Sequence, residues 1–535
     1  MSRLRYASFL AITAIAGALH AQSLQSQASA GRVFDDANGN GVFDVGERGV
    51  ADVAVSNGRD VARTDRIGNY SLSVQHGQTL FVIKPAGWRV ATGSAGLPLF
   101  WKHHVPFGGV ALKYGGIAPT GASAASIDFP LRRESLRKRD LEVLVFSDSQ
   151  PKSMADVGYY DKDIVAPIVG KHHAQLGLTL GDIVHDDLSL YPALNAITAK
   201  LGVPWLHVAG NHDLDFDATR DEDSLLTFRN TYGPDTLAWE ETAATFVVLD
   251  DVVYRPGQRP AYVGGLRDDQ FAFLEAYLPT TPKDRLLVLA VHIPFFSTSP
   301  VPEWQSFRVA DRERLFGLLK DFPHVLLLSG HSHTQQHVLH DADSGWHGTK
   351  PLHEYNVGAA CGAFWSGVKD TAGIPDATMA DGTPNGYATL RVNTGGAYAL
   401  AWHPARDGSD TQIALHAPKV LRQDAYPAFA VFANVFMGRD DSKVEYRIDG
   451  GNWNPMSKTS QPDPSLVTEN MRDDLAPRLR GYDRAPPAQP SPHLWRGTLP
   501  TDLAVGEHSI EVRAFDAWRG EQRAKTSYRL DVAEE

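Results

Sequence analysis

Cysteine is nearly missing: Cys361 stands alone among 535 residues. One thiol cannot close an intramolecular disulfide, so no cross-linked scaffold is expected. No thiol-protease signature surrounds Cys361, which reads as a packed residue. A basic surplus is missing too. There are 51 Lys and Arg against 63 Asp and Glu, a net charge of −12, which argues against general nucleic-acid binding. An enzyme for anionic substrates in such a chain needs locally placed positive charge, for instance from metal ions. Long apolar runs are also missing. Past residue 21 nothing approaches the ~18 apolar residues of a membrane span, so none is expected after processing. The apolar stretch from Ala7 to Leu19 is too short to span a bilayer. Arg3 and Arg5 precede it, and Ala21 offers a small residue for cleavage before Gln22. Residues 1–21 therefore read as an export signal, and a periplasmic or secreted location is expected. No cysteine follows the signal directly, so a lipid anchor is not expected.

What is present is ordinary globular material, 43% hydrophobic and 21% charged. The length suits about three domains. Residues 22–135 read as a small β domain of short alternating strands and Gly turns. It contains "DDANGNGVFDVGE", which fits the pattern D-x-[DN]-x-[DN]-G-x5-E. The matching places are Asp36, Asn38, Asn40, Gly41 and Glu47, with Val42 at the seventh place and Asp44 at the ninth. Oxygen donors at alternate loop positions suit a hard cation, so a structural Ca²⁺ is expected. No flanking helices are evident; the segment resembles the calcium-binding B-type repeats of bacterial surface proteins. Residues 139–395 alternate β runs, turns and helical patterns, which implies an α/β core. Residues 396–535 alternate apolar and polar residues around Gly turns and read as a β-sandwich. The boundary between these last two could lie as early as about residue 353.

Five apolar runs in the central region end alike. "LEVLVFSDSQ" ends in Asp148 and Gln150, "LGLTLGDIVHDD" carries Asp182, and "WLHVAGNHD" ends in Asn211, His212 and Asp213. "LLVLAVHIP" carries His292, and "VLLLSGHSH" ends in His331 and His333. Open α/β sheets bind ligands beyond the carboxyl ends of their strands, so five strand ends could converge on one pocket. Carboxylate, amide and imidazole together suit divalent Mn, Fe or Zn. Asp182 can bridge two ions through its two oxygens. One ion would take Asp148, Gln150, Asp182 and His333. The other would take Asp182, Asn211, His292 and His331. Such a pair can clamp both oxygens of a phosphoryl transfer.

This set resembles the calcineurin-like metallophosphoesterases. Their pattern is D-x-H, G-D-x-x-x-D, G-N-H-[DE], a lone His, then G-H-x-H; here it stands as "DSQ", "GDIVHD", "GNHD", "VHIP" and "GHSH", in family order. The resemblance implies a multidomain fold whose centre is two packed mixed sheets flanked by helices. It implies a phosphoric ester hydrolase in which a metal-bridging hydroxide attacks phosphorus in line. His212 would then assist catalysis without ligating metal, and Asp213 would orient it. The β-rich flanks resemble a three-domain exported bacterial branch of the superfamily. Purple acid phosphatases are less similar, because His185 stands where they have a tyrosine ligand. The departure from the pattern is Gln150, where the family usually has His. An amide oxygen is a neutral, hard donor, so a bias toward Mn or Fe over Zn is expected.

The Gly- and Pro-rich stretch 366–387 is long for a compact domain, and such loops are often functional. Asp381, Asn385 and Tyr387 are the candidates there for touching substrate. The expected partner is a small-molecule or envelope phosphate ester. The competing reading is an envelope or surface binding protein whose central domain has decayed. Two bound transition ions would favour the enzyme.

Overall fold

The computed structural model describes residues 27–533, apart from 94, 123–125, 135–139, 299–305, 407, 409–410 and 427–428. The expected export signal, residues 1–21, lies outside the described residues. No described helix is long and apolar enough to cross a membrane.

Two mixed sheets form the centre. One has five strands in the order Trp205–Val208, Leu176–Leu180, Leu141–Phe146, Gly386–Val392 and Tyr398–Pro404. Its first three strands are parallel, and Gly386–Val392 joins antiparallel. The other sheet has six strands. Ala244–Leu249, Leu286–Ala290, Val325–Ser329 and Leu352–Asn356 run parallel, with antiparallel strands at both edges. "LGLTL" and "LLVLA" are buried at every residue. Strands covered on both faces need such continuous apolar runs. Phe146, Leu178 and Val208 of one sheet and Val247, Leu289 and Leu328 of the other belong to one core. Truncating a fully buried leucine of this kind to alanine costs about 2–5 kcal/mol. The expected division between residues 395 and 396 falls in the hairpin of Gly386–Val392 and Tyr398–Pro404, whose second strand stays in the central sheet.

The flanks are β-rich, as expected. In the N-terminal region Gln27–Asp35 pairs antiparallel with Asn69–Val74 and parallel with Phe129–Arg133, so the chain returns beside its own beginning. Lys84 pins this region to the centre. Its buried Nζ meets Glu241 Oε1 at 2.6 Å and the Glu240 carbonyl at 3.0 Å. At the other end, sheets of four and five strands face each other across a core that includes Ile413, Val431, Val512 and Tyr528. That arrangement is a β-sandwich.

Candidate metal centre

The parallel strands bring their carboxyl ends to one place, and the backbone there is bent against its preference. Asp148, Gln150, Asp182, His331 and His333 all have positive φ, between 35° and 72°. Such a conformation costs about 1–3 kcal/mol for a non-glycine residue and persists only where its surroundings enforce it. Two glycines make the close approach possible. A Cβ on Gly210 would lie 2.3 Å from Asp182 Oδ1, and one on Gly181 would lie 2.4 Å from His292 Nδ1.

Asp182, His292 and His331 present donor atoms within 4.8 Å of one another. His292 Nε2 lies 3.3 Å from Asp182 Oδ1, 3.0 Å from Asn211 Oδ1 and 3.2 Å from His331 Nδ1. The four expected donors of one site therefore face one another. Those of the other site adjoin them. His333 Nε2 is 3.5 Å from Asp148 Oδ1, and Gln150 Nε2 donates to Asp182 Oδ2 at 2.7 Å. Asp182 thus turns one oxygen to each group.

These residues fit divalent ions. The buried Asp148 Oδ1 has no hydrogen-bond partner, an expensive state for a carboxylate unless a cation faces it. His292 Nδ1 meets the Leu180 carbonyl at 2.8 Å, and His333 Nδ1 meets the Gly362 carbonyl at 2.6 Å. Those contacts fix the rings and leave each Nε2 to ligate. Burial disfavours charge on His292, yet Asp182 and Asp148 outweigh it and raise its pKa. The buried carboxylates thus demand positive charge at this spot.

His212 stands beside the cluster. Its backbone N donates to Asp182 Oδ1 at 2.8 Å, and its Nδ1 meets Asp186 Oδ1 at 2.7 Å. Burial works against a proton on His212, but Asp182 and Asp186 more than offset it, so its pKa is raised. The ring also stacks on His185 at 4.3 Å. Asp213 does not orient His212, contrary to expectation. It is fully buried and accepts from the backbone N–H groups of Ile183 and Gly210 and from the Tyr191 hydroxyl. It ties together the two loops that carry Asp182 and Asn211. Asp186, at the end of "GDIVHD", holds the His212 ring instead.

The family description "Calcineurin-like phosphoesterase" matches residues 141–335. Its companions, "N terminal of Calcineurin-like phosphoesterase" and "C terminal of Calcineurin-like phosphoesterase", match residues 37–111 and 354–521. The chain belongs to the calcineurin-like phosphoesterases. It is accordingly a metal-dependent phosphoric ester hydrolase. No curated protein matches it. Among solved structures, it is similar to the purple acid phosphatase PPD1 from yellow lupin (Lupinus luteus) seeds. That likeness has 12% identity and a TM-score of 0.39, over 72% of this chain and 68% of the other.

Three residues of this phosphoesterase expected to touch substrate serve other purposes. Asp381 is fully buried. It accepts from the Gln335 N–H at 2.8 Å and lies 3.1 Å from His493 Nε2, so it ties the C-terminal region to the loop after "GHSH". Asn385 donates to Asp163 Oδ2 and to the Ala360 carbonyl. Tyr387 stacks on His403 within its hairpin, at 4.8 Å. A polar loop between two domains needs buried partners for its own groups, and these residues supply them. The wall of the site comes from elsewhere. The Phe364 ring lies 4.4 Å from that of His333, and Tyr262 lies 6.1 Å from His331.

The loop at 36–47 curls around its own polar groups. Asp36 accepts from the N–H groups of Gly39, Asn40 and Gly41, and Glu47 accepts from those of Ala37 and Asp44. Asn38 and Asn40 both donate to Asp44 Oδ2 at 2.8 Å, and these bonds hold the Asp44 carboxyl below its ordinary range. Val42 is exposed, and its N–H donates to Asn40 Oδ1.

Proposed function

We propose that this phosphoesterase uses two divalent ions, Mn or Fe, that share Asp182 and acts outside the cytoplasm on small-molecule or envelope phosphate esters. The observation that carries the two-ion reading is the division of Asp182. Its Oδ1 faces His292 and its Oδ2 faces Gln150. Asp148, Gln150 and His333 would complete one site, and Asn211, His292 and His331 the other. Bound there, the ions would polarise the phosphoryl group and supply hydroxide near neutral pH for attack in line with the leaving group. His212 keeps a proton through Asp186 and delivers it to the departing oxygen. Asp213 keeps the loops of Asp182 and Asn211 in register. The export part of the proposal rests on residues 1–21. N-terminal sequencing of the mature protein checks it: a chain starting at Gln22 is expected.

Gln150 gives the first test. Gln150→Ala should lower metal occupancy at its own site while the site of Asn211, His292 and His331 stays filled. Excess Mn²⁺ should restore part of the activity, because mass action refills a weakened site. Gln150→His should raise zinc affinity, since imidazole is a softer donor than an amide oxygen. Metal content and rate against Mn²⁺ concentration check this. An alanine variant equal to the parent in both would remove Gln150 from the ligand set.

The loop from Asp36 to Glu47 is proposed as a structural calcium site. An ion at ~100 times its dissociation constant stabilises the folded state by about 2.7 kcal/mol. Thermal unfolding of the full chain should therefore rise on adding calcium. In Asp36→Ala/Glu47→Ala that rise should vanish. An equal rise in both proteins, or none in the parent, would refute the site.

A further inference from the structure

We propose that Lys152, seated on Phe364, forms a second anion subsite that takes the further phosphate of a diphosphate-containing substrate. This rests on the phosphoesterase reading and adds the substrate class.

Lys152 follows the ligand strand closely, two residues after Gln150, and its side chain is exposed. Its backbone is fixed where the helix Met154–Tyr160 begins. The Lys152 N–H donates to Asp156 Oδ2 at 2.8 Å, and Ser153 caps the helix by accepting from Asp156 N. Its Nζ stands 5.4 Å from the centre of the Phe364 ring. Cation–π attraction across such a distance holds the ammonium beside the ring without neutralising it.

Phe364 is a fixed pedestal. It and Trp365 have consecutive positive φ values of 59° and 55°. The turn is pinned to the strand tip by Trp365, whose Nε1 donates to the Ser149 carbonyl at 2.9 Å. A strained turn held in this way places its side chain reproducibly. The Phe364 ring lies against His333 and also reaches His185, at 6.2 Å. Lys152 Nζ, at 5.4 Å, and the His333 ring, at 4.4 Å, therefore share the Phe364 ring as a neighbour.

Lys152 has no carboxylate partner among the described residues, on a chain of net charge −12, so no ion pair there competes with an anionic ligand for its ammonium. The metal centre neutralises one phosphoryl group. A second phosphate in the same substrate needs its own cation at the mouth, and Lys152 offers one with three free donors. A substrate with a single phosphate leaves Lys152 unused.

The test is equilibrium binding to the Mn²⁺-loaded full chain, with the 5′-methylenephosphonate analogue of AMP, whose phosphorus–carbon bond resists hydrolysis, and with α,β-methylene-ADP, whose phosphorus–carbon–phosphorus bridge resists it likewise. The parent should bind the diphosphate analogue more tightly. Lys152→Ala should weaken that analogue about tenfold, the scale of one charge-assisted hydrogen bond, and leave binding of the monophosphonate unchanged. Lys152→Arg should restore the difference. The side chain is exposed, so the fold is not at stake. Equal weakening of both nucleotides, or of neither, would overturn the subsite. A loaded parent that binds the two analogues equally, or binds neither, would also overturn the subsite, while the phosphoesterase reading is judged separately by hydrolysis.

Discussion

Asp182→Asn is expected to empty both metal sites and abolish hydrolysis. In the parent, the Asp182 carboxylate faces His292 with one oxygen and Gln150 with the other, and it is fully buried. An amide carries no charge and offers only one oxygen, so it bridges two cations poorly. The same carboxylate also accepts from the His212 backbone N–H, so the GNHD loop exchanges a charged acceptor for a weaker neutral one. The rate should fall by more than the ~10²–10³-fold that loss of one electrostatic stabiliser costs. Metal content should fall with it. Excess Mn²⁺ should not rescue the variant, in contrast to Gln150→Ala. A variant with two ions and normal turnover would remove the bridge from the account.

The second large effect belongs to His212. His212→Ala should keep both ions and lose ~10²–10⁴-fold in rate, the usual contribution of a general acid or base. The loss should depend on the leaving group. Alkoxides need a proton to depart, so their esters should suffer most. Nitrophenolate leaves readily without one, so nitrophenyl esters should suffer least. Asp186→Asn should show the same pattern more weakly, because the ring would remain but lose the carboxylate at 2.7 Å from Nδ1. Metal content and rates on paired alkyl and nitrophenyl esters check this. Equal losses on both esters would assign His212 to charge stabilisation, and loss of an ion would make it a ligand.

The ligand cluster was legible because the chemistry is repetitive. Five apolar runs each stop at a donor residue, and a parallel sheet gathers such ends by its topology. The β-rich flanks were legible from alternation and Gly turns. The partner of His212 was harder. In "GNHD" the adjacent acid looks suited to the task, yet a side chain beside His212 in sequence points away into the core. Asp213 satisfies the backbone of Ile183 and Gly210, while Asp186 arrives from another loop. The substrate candidates failed for a related reason. Asp381 is polar and sits in a long loop, but it is spent on Gln335 and His493 at a domain contact. Sequence shows that a loop is polar, not which buried groups it must satisfy. The role of Phe364 is hard to read from sequence because an aromatic in "ACGAFW" has no periodicity to separate wall from core. Its value comes from a backbone turn that only the fold reveals.

Metal counting joined to turnover tests the central claim most directly. The full chain would be stripped with chelator, titrated with Mn²⁺, and followed for bound ion and for hydrolysis of monoester, diester and diphosphate substrates. The account predicts two ions per chain and activity that appears as the second ion binds. Full activity in the stripped chain, or two bound ions without hydrolysis of any of the three substrate classes, would contradict it.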